Sequence, residues 1–519
     1  MKSRNDGTPA AGSQDSGDST SSSASSPRQG DPQAPGARAH QGRRGPWTGP
    51  RIVVAIMTIT AVICFAAGLR ACLPRESWIE VGAGPSPASN PLKGMMPFAP
   101  ADPAEAPQLA ESAPPHTMEW VYIPLNEVVT GPGAYDWRAV EDRLEAISSR
   151  GHQTVLRFYV DYPGRPSALP DYLADNGTVR TRSYTVNGND GASVSPDYND
   201  PDMMEMLTSF ISAFGQEYDG DPRLGFITQG LVGFWGEGHT WPMNGTRSPA
   251  NPSGEDWMAT EANQEALVAA WDEAFDTTPT LTRYPTPASA EHAVGYHDDS
   301  FGYATLDNAD WHFMSLMKRA GATAVWQTQP IGGEVYPEIQ DCVLLTPSDC
   351  PQAARDMSSG RNYDVPGSIR ATHASWLINN WAFTAPLDSA QRDRVLEASS
   401  ATGYELAVTR WRMDGERVEV ELTNHGVAPF YYDWDLEVIA LDDAGQEVGR
   451  STLDGDLRAV LPGTEVAFSG EVSGPGATTV LLRAVNPMEG GAPLRFASAG
   501  QDTTWEGYLT LGTAGPQED

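Results

Sequence analysis

Two glutamates stand out by their settings. Glu237 lies in GFITQGLVGFWGEGHTW (225–241) and Glu334 in AVWQTQPIGGEVYPE (324–338). Each closes an apolar, strand-like run with a glycine-spaced turn, and each turn is flanked by Trp or Tyr. A carboxylate held at the mouth of a strand beside aromatic faces can grip a sugar and protonate its glycosidic oxygen. Two of them supply the pair that glycoside hydrolysis uses. Taken singly, either glutamate could equally be a salt-bridged carboxylate at a strand end. The matched pair points to a sugar site.

Around them the sequence offers polar candidates for substrate contact: Arg157, Tyr159, His239, Arg283, Tyr284, His297, Asp298, Asp299 and His373. Trp235 and Trp241 would wall the site beside Glu237, and Trp376 would reach it from the last strand, although core packing serves tryptophan as well. Arg157 and Arg283 sit on apolar strands, where an unpaired charge is costly, so each must meet a carboxylate or a substrate. His297, Asp298 and Asp299 are consecutive on a strand and point to alternate faces, so they cannot complete a metal shell alone. We therefore expect no metal and no cofactor. No Gly-x-Ser-x-Gly elbow, dinucleotide fingerprint or P-loop is present, which removes serine hydrolases and nucleotide sites.

The elements that must position these residues alternate. EWVYIPL (119–125), TVLRFYV (154–160), RLGFITQG (223–230), TLTRYP (280–285), HAVGYHDDSF (292–301), TAVWQTQP (323–330) and THASWLIN (372–379) read as strands, and residues 94–98 as a short first one. Helical patterns fall between them at 136–151, 201–218, 261–275 and 312–321, with a long polar loop over 163–200. Eight strands of this period predict an α/β fold of the (β/α)₈ TIM-barrel type over residues 91–402, with chemistry on the loops after the strands. Arg283 would then end the fifth strand, 297–299 the sixth and Glu334 the seventh.

After residue 402 the period changes. RVEVELTN (417–424) alternates strictly, and DLEVIALDDAG (435–445), EVAFSGEV (465–472), TTVLLRAV (478–485) and GYLTLG (507–512) follow without helices. This predicts a C-terminal β-sandwich over 403–513, ahead of a disordered tail at 514–519. Its Trp411, Tyr431, Tyr432 and Trp434 either form a sugar-stacking face or pack against the barrel.

The N-terminal fifty residues are Ser, Gly, Pro, Gln and Asp with few large apolar side chains, so 1–50 reads as disordered. Residues 52–69 carry no charge and are long enough to cross a bilayer. A transmembrane helix over 51–73, with Arg38, Arg43, Arg44 and Arg51 before it, would leave the N-terminus cytoplasmic and the folded part outside the cell. A cleaved signal peptide fits less well because of the long polar tail, and lipid attachment at Cys72 is disfavoured by Arg70. Residues 74–90 read as a tether. Cys342 and Cys350 close a short loop just past Glu334 and are expected to form a disulfide. A net charge of −34 over 519 residues excludes nucleic acid as a partner, leaving carbohydrate and, through the helix, the lipid bilayer.

The order of the strands and the places of Glu237 and Glu334 resemble the (β/α)₈ glycosidases of clan A. GFWGEGHTW and PIGGEVYPE, together with the trailing sandwich, are similar to a family of bacterial extracellular proteins described as a domain of unknown function. That second resemblance spans roughly residues 90–512. The clan A resemblance implies that Glu237, after strand four, is the general acid/base and Glu334, after strand seven, the nucleophile. One departure is visible: Gly236 stands where clan A enzymes usually carry an Asn that contacts the sugar 2-hydroxyl. The expected function is therefore extracytoplasmic hydrolysis of a glycan or glycoconjugate, and the alternative is a non-catalytic cell-surface carbohydrate-binding or scaffold protein.

Overall fold

The computed structural model describes residues 78–87, 89–174, 177–344, 350 and 363–513, all within the unit Arg75–Asp519. The tail 1–50, the apolar run 51–73 with Cys72, and the tail 514–519 lie outside the described residues. Among the described residues no helix is long and apolar enough to cross a membrane.

Eight strands form one sheet: β1 (Gly94–Met96), β2 (Met118–Pro124), β3 (Gln153–Tyr159), β4 (Leu224–Thr228), β5 (Thr280–Thr282), β6 (Gly295–Phe301), β7 (Ile331–Val335) and β8 (Trp376–Ile378). Their order is β1-β8-β7-β6-β5-β4-β3-β2, and every neighbouring pair is parallel. The ring closes just beyond β1. There Phe98 bridges Trp120 in parallel, Ala99 N donates to Trp120 O at 2.7 Å, and Trp120 N donates to Pro97 O at 3.0 Å. The result is an eight-stranded parallel barrel.

Helices α1 (Arg138–Ser148), α2 (Pro201–Tyr218), α3 (Glu261–Ala274), α4 (Phe313–Ala320), α5 (Val365–Thr372) and α6 (Ser389–Ser400) cover it. In α1 the buried residues are Val140, Leu144 and Ile147, one stripe at helical spacing. Asp200 caps α2 by accepting from Asp202 N, with Pro201 in the first turn, where a missing N–H is harmless. The alternation is incomplete. Among the described residues no helix stands between β1 and β2, and only a 3₁₀ turn, Ser289–Glu291, between β5 and β6.

Two strand positions differ from the sequence expectation. Residues 323–330 are not the seventh strand: Val325–Gln327 is a 3₁₀ turn, and the strand is IGGEV at Ile331–Val335. Its two glycines disfavour a strand locally. A Cβ on Gly332, however, would lie 2.2 Å from the Trp376 indole, so the barrel interior requires glycine there. Glu334 is thus a strand residue rather than a turn residue. The eighth strand is likewise shorter than 372–379, because α5 runs to Thr372 and His373 ends it at φ 56°.

Past the barrel lie β9 (Leu406–Asp414), β10 (Arg417–Asn424), β11 (Leu436–Leu441), β12 (Glu447–Leu453), β13 (Glu465–Glu471), β14 (Thr479–Ala484) and β15 (Leu509–Thr513). They form two four-stranded antiparallel sheets. One has the order β12-β11-β14-β15. The other adds Ile79–Glu80 as an edge strand beside β9, then β10 and β13. Within the stretch read as a tether, Ile79 and Glu80 therefore belong to a sheet. Ile79 packs on the sandwich core, and the Trp78 ring lies 4.7 Å from the guanidiniums of both Arg410 and Arg412.

Barrel and sandwich share one hydrophobic core, which joins Trp120, Phe226 and Trp376 to Phe430, Trp434, Val438 and Leu482. Tyr431 Oη donates to Trp326 O at 2.6 Å, Tyr404 Oη to Pro91 O at 2.7 Å, and Tyr432 Oη to Gly225 O. All three acceptors lie before, or at the start of, barrel strands. The sandwich therefore caps the N-terminal mouth, and its aromatic residues serve that packing: Trp411 is fully buried and Trp434 nearly so. A sugar-stacking face from these residues is not formed.

Candidate active site

The opposite, C-terminal mouth opens on a cleft of about 1590 Å³. Glu237, Asp299 and Glu334 line it, and one carboxylate oxygen of each lies within 4.8 Å of the other two. Three routes bring them there. Glu334 points inward from β7, Asp299 from β6, and Glu237 rides the long loop after β4.

That loop explains the departure at position 236. Gly236 has φ 67°, and a Cβ there would lie 2.8 Å from Phe158 O. Backbone conformation and a close backbone approach both select glycine over asparagine. Trp235 next to it holds φ 55°, a conformation bulky residues rarely adopt and one that concentrates at functional sites.

Beneath the carboxylates runs an ion-pair network. Arg157 of β3, almost fully buried, donates from Nη2 to Asp299 Oδ1 at 2.9 Å and from Nε to Thr228 Oγ1 at 2.9 Å. Its Nη1 lies 3.6 Å from Glu237 Oε1, and the guanidinium lies over the Trp120 ring. Arg283 Nε lies 3.0 Å from Asp299 Oδ2, and Arg283 Nη2 lies 3.5 Å from Asp298 Oδ1. His297 Nε2 is 2.6 Å from Asp299 Oδ1, with its ring between Trp120 and Trp376. Burial would raise the Asp299 carboxyl, but Arg157, His297 and Arg283 outweigh it and hold it well below the usual range. Burial lowers His297 below its usual value against the pull of Asp299, whose carboxylate its Nε2 faces.

Glu334 has the opposite environment. It is 6% exposed and accepts from Gln340 Nε2 at 3.2 Å. Burial first, then the charges of Glu237 and Asp299, push it well above the ordinary glutamate range, and Arg157 and Gln340 offset only part of this. Glu237 is more open, with His239 Nε2 at 3.2 Å from Oε2. Burial therefore favours the neutral form of Glu334.

Of the sequence candidates, Trp235, His239, Trp241, Arg283, Tyr284 and Asp299 line the cleft with the two glutamates. Others do not. Arg157 lies below the wall, where it sets charge. Tyr159 is covered by Tyr162 and Tyr122, at ring distances of 5.1 and 6.3 Å. His297 and Trp376 are interior packing. His373 is at the far end, stacked 3.7 Å from Trp326, with Nδ1 bonded to Val427 O of the sandwich side. It precedes β8, whereas residues near or beyond a strand's C-terminal end reach this mouth. Tyr122, Tyr162, Gln340 and Trp311 were missed. Tyr122 was legible, since it shares the inward face of β2 with Trp120. Gln340 was not, because the chain reaches Glu334 only by turning back through Pro337–Ile339.

Two described clusters have metal-ligand composition. In Glu237–Asp299–Glu334 the guanidiniums of Arg157 and Arg283 already neutralise Asp299. In His116–Glu119–His152, at the N-terminal end of β2, Arg150 forks both Glu119 oxygens at 2.7 Å. In each cluster a central carboxylate, Asp299 or Glu119, thus already has a resident cation. Cys342 and Cys350 are joined by a disulfide, Cα to Cα 5.2 Å, two residues beyond Gln340.

One buried carboxyl underlies the Glu237 loop. Asp161 accepts from Tyr184 Oη and from Ser193 Oγ at 2.8 Å, and its carbonyl accepts from Trp235 N at 2.9 Å. Burial pushes it up to about 7, with the Tyr184 and Ser193 hydrogen bonds resisting. The folded protein keeps this proton to about pH 7, whereas the unfolded chain releases it near 3.8. Stability from this group therefore falls as pH rises between those values. Asp161→Asn, which can still accept both hydrogen bonds, is expected to melt like the wild type near the lower value. Its Tm advantage should grow up to about pH 7 and then level off. A difference that ignores pH would show that Asp161 does not titrate in this window.

No family model matches the chain, and no curated protein matches it in sequence. Among solved structures, a GH5-4 broad-specificity endoglucanase from an uncultured bacterium is similar at 10% identity, covering 63% of this chain and 97% of that one, TM-score 0.32. An Anoxybacillus α-amylase aligns at 11% identity over 71% of this chain and 86% of its own, TM-score 0.29. A GH27 β-L-arabinopyranosidase from Geobacillus stearothermophilus aligns at 9% identity over 73% and 96%, TM-score 0.26. These three are glycoside hydrolases, but at such scores the likeness carries no argument about this chain. The functional reading rests on its own residues.

Proposed function

We propose that this protein is a glycoside hydrolase that works with retention, using Glu237 and Glu334. The observation that carries the reading is the pair itself: two carboxyl groups with oxygens within 4.8 Å, at the C-terminal mouth of a barrel, over an open cleft with tryptophans on its wall. Retaining enzymes hold their carboxyls about 5–5.5 Å apart, whereas inverting ones leave about 6.5–9.5 Å for a water. The short spacing favours retention.

The charge distribution supports roles opposite to those the clan A resemblance implies. Neutral Glu334 protonates the glycosidic oxygen as the bond from the anomeric carbon to that oxygen breaks. Glu237, beside Arg157 and His239, attacks with its carboxylate and forms an ester with the anomeric carbon. Glu334, now a carboxylate, takes a proton from water, whose oxygen displaces Glu237. Gly236 supplies no side chain for a 2-hydroxyl, so that contact falls to other wall residues.

A 2-fluoro glycoside with a good leaving group, followed by peptide mapping, tests this. A sugar ester on Glu237 is the expected result. An ester on Glu334 reverses the roles, and turnover of the parent glycoside with no ester removes the two-step mechanism. A location outside the cell, with 51–73 as anchor, belongs to the same proposal; the Cys342–Cys350 disulfide supports an oxidising compartment. Binding without turnover is the second reading, favoured by the missing Asn at 236 and tested by the same label.

A further inference from the structure

We propose that the cleft takes a chain of several sugar units bearing free amino groups, in preference to a neutral chain and to the exclusion of a polyanionic one. This rests on the carbohydrate-site reading of the same cleft.

Size comes first. At about 1590 Å³ the cleft exceeds the roughly 300–1,000 Å³ of pockets that enclose a drug-sized ligand, so one monosaccharide would leave most of it empty. Trp241 and Trp311, 62% and 54% exposed, both stand on its wall. Only one other large apolar side chain among the described residues, Trp381, is comparably exposed. Broad aromatic faces on an open wall suit the C–H face of a sugar and attract a cation through the ring quadrupole.

Charge narrows the class. Asp256, Glu261, Glu265 and Glu338 line the same cleft and are exposed, and no salt bridge engages them among the described residues. The wall's guanidiniums offset them only in part. Arg283 is held by Asp298 and Asp299, and Arg319, which donates to the Asp310 carbonyl, is one positive charge against four exposed carboxylates. The cleft wall thus carries an excess of exposed carboxylates, in a chain of net charge −34. Such a wall repels uronate or sulfated chains and draws ammonium groups, in a way that salt screens.

Calorimetric titration of the whole-chain Glu334→Gln protein tests this, since the amide replaces a neutral acid and leaves the cleft charge unchanged. The probes are the fully de-N-acetylated glucosamine hexamer, cellohexaose and a galacturonate hexamer, at pH 6. At low salt the amino hexamer is expected to bind about tenfold tighter than cellohexaose, the sum of several weak exposed ion pairs. The gap should close at 0.5 M NaCl, and the galacturonate hexamer should not bind. Glu261→Gln with Glu265→Gln should shrink the gap without weakening cellohexaose. Equal binding of any two hexamers at low salt, a preference insensitive to salt, or no binding at all each overturns the proposal. The expected preference with no sugar ester in the labelling experiment would leave this inference standing and remove hydrolysis.

Discussion

Glu237→Gln is expected to lower turnover of an identified glycoside by at least roughly 10²–10⁴-fold, the range for removing a positioned group that acts in the transition state. The loss should persist with every leaving group, because no ester can form. Glu334→Gln should fall as far with a natural glycoside. It should lose far less in the first step with an activated aryl leaving group, which departs without a proton. The two variants also separate on stability. Glu334 keeps its proton in the folded state above the pH at which the unfolded chain loses it, so its contribution falls as pH rises past the ordinary glutamate range. Glu334→Gln removes that loss and should raise Tm at neutral pH. If both variants keep full turnover with all leaving groups, the carboxylate pair is not the catalytic machinery.

Arg157→Met should cost the fold about 3–5 kcal/mol, the usual penalty when one partner of a buried ion pair is removed. The side chain is 2% exposed, and its loss strips Asp299 of a hydrogen-bonded counter-charge and Glu237 of its nearest guanidinium. The pH dependence follows from the sign. Asp299 is held below its usual range, so its contribution is present at neutral pH and is lost as pH falls past that range. The Tm deficit of Arg157→Met should be largest near neutrality and shrink in acid. The double variant Arg157→Met, Asp299→Asn should recover part of it, because the stranded charge is gone. A deficit equal at all pH values, unrelieved by Asp299→Asn, would mean that Arg157 acts by packing over Trp120 alone.

Much of the barrel was legible because inward and outward residues alternate along a strand whatever surrounds it. Trp120 and Tyr122, Arg157, and His297 with Asp299 announced inward faces by parity. The seventh strand misled, since Val325 and Trp326 look more strand-like than Gly332 and Gly333. Gly332 is required by Trp376, more than forty positions away, and Gly333 by Phe301, more than thirty positions away. His373 misled for a related reason: composition marks a histidine as useful but not which end of a strand it will occupy. Five sandwich strands were readable, but Leu406–Asp414 and Glu447–Leu453 were missed, and Ile79 and Glu80, two residues in a Pro/Gly-rich stretch, carried too short a pattern to show that they pair with β9.

The sequence by itself determined most of the barrel strands, the change of period after residue 402, and the two matched glutamates, because local side-chain pattern suffices for each. Closure of the ring decided the rest. Only when β1 meets β2 at Phe98 and Trp120 do Glu237, Asp299 and Glu334 converge, and only then does Arg157 reach Asp299 across 142 positions of chain. The protonation pattern is likewise tertiary. Glu334 is an ordinary glutamate in the unfolded chain; burial and the nearby charges of Glu237 and Asp299 raise it in the fold, with Arg157 and Gln340 offsetting only part.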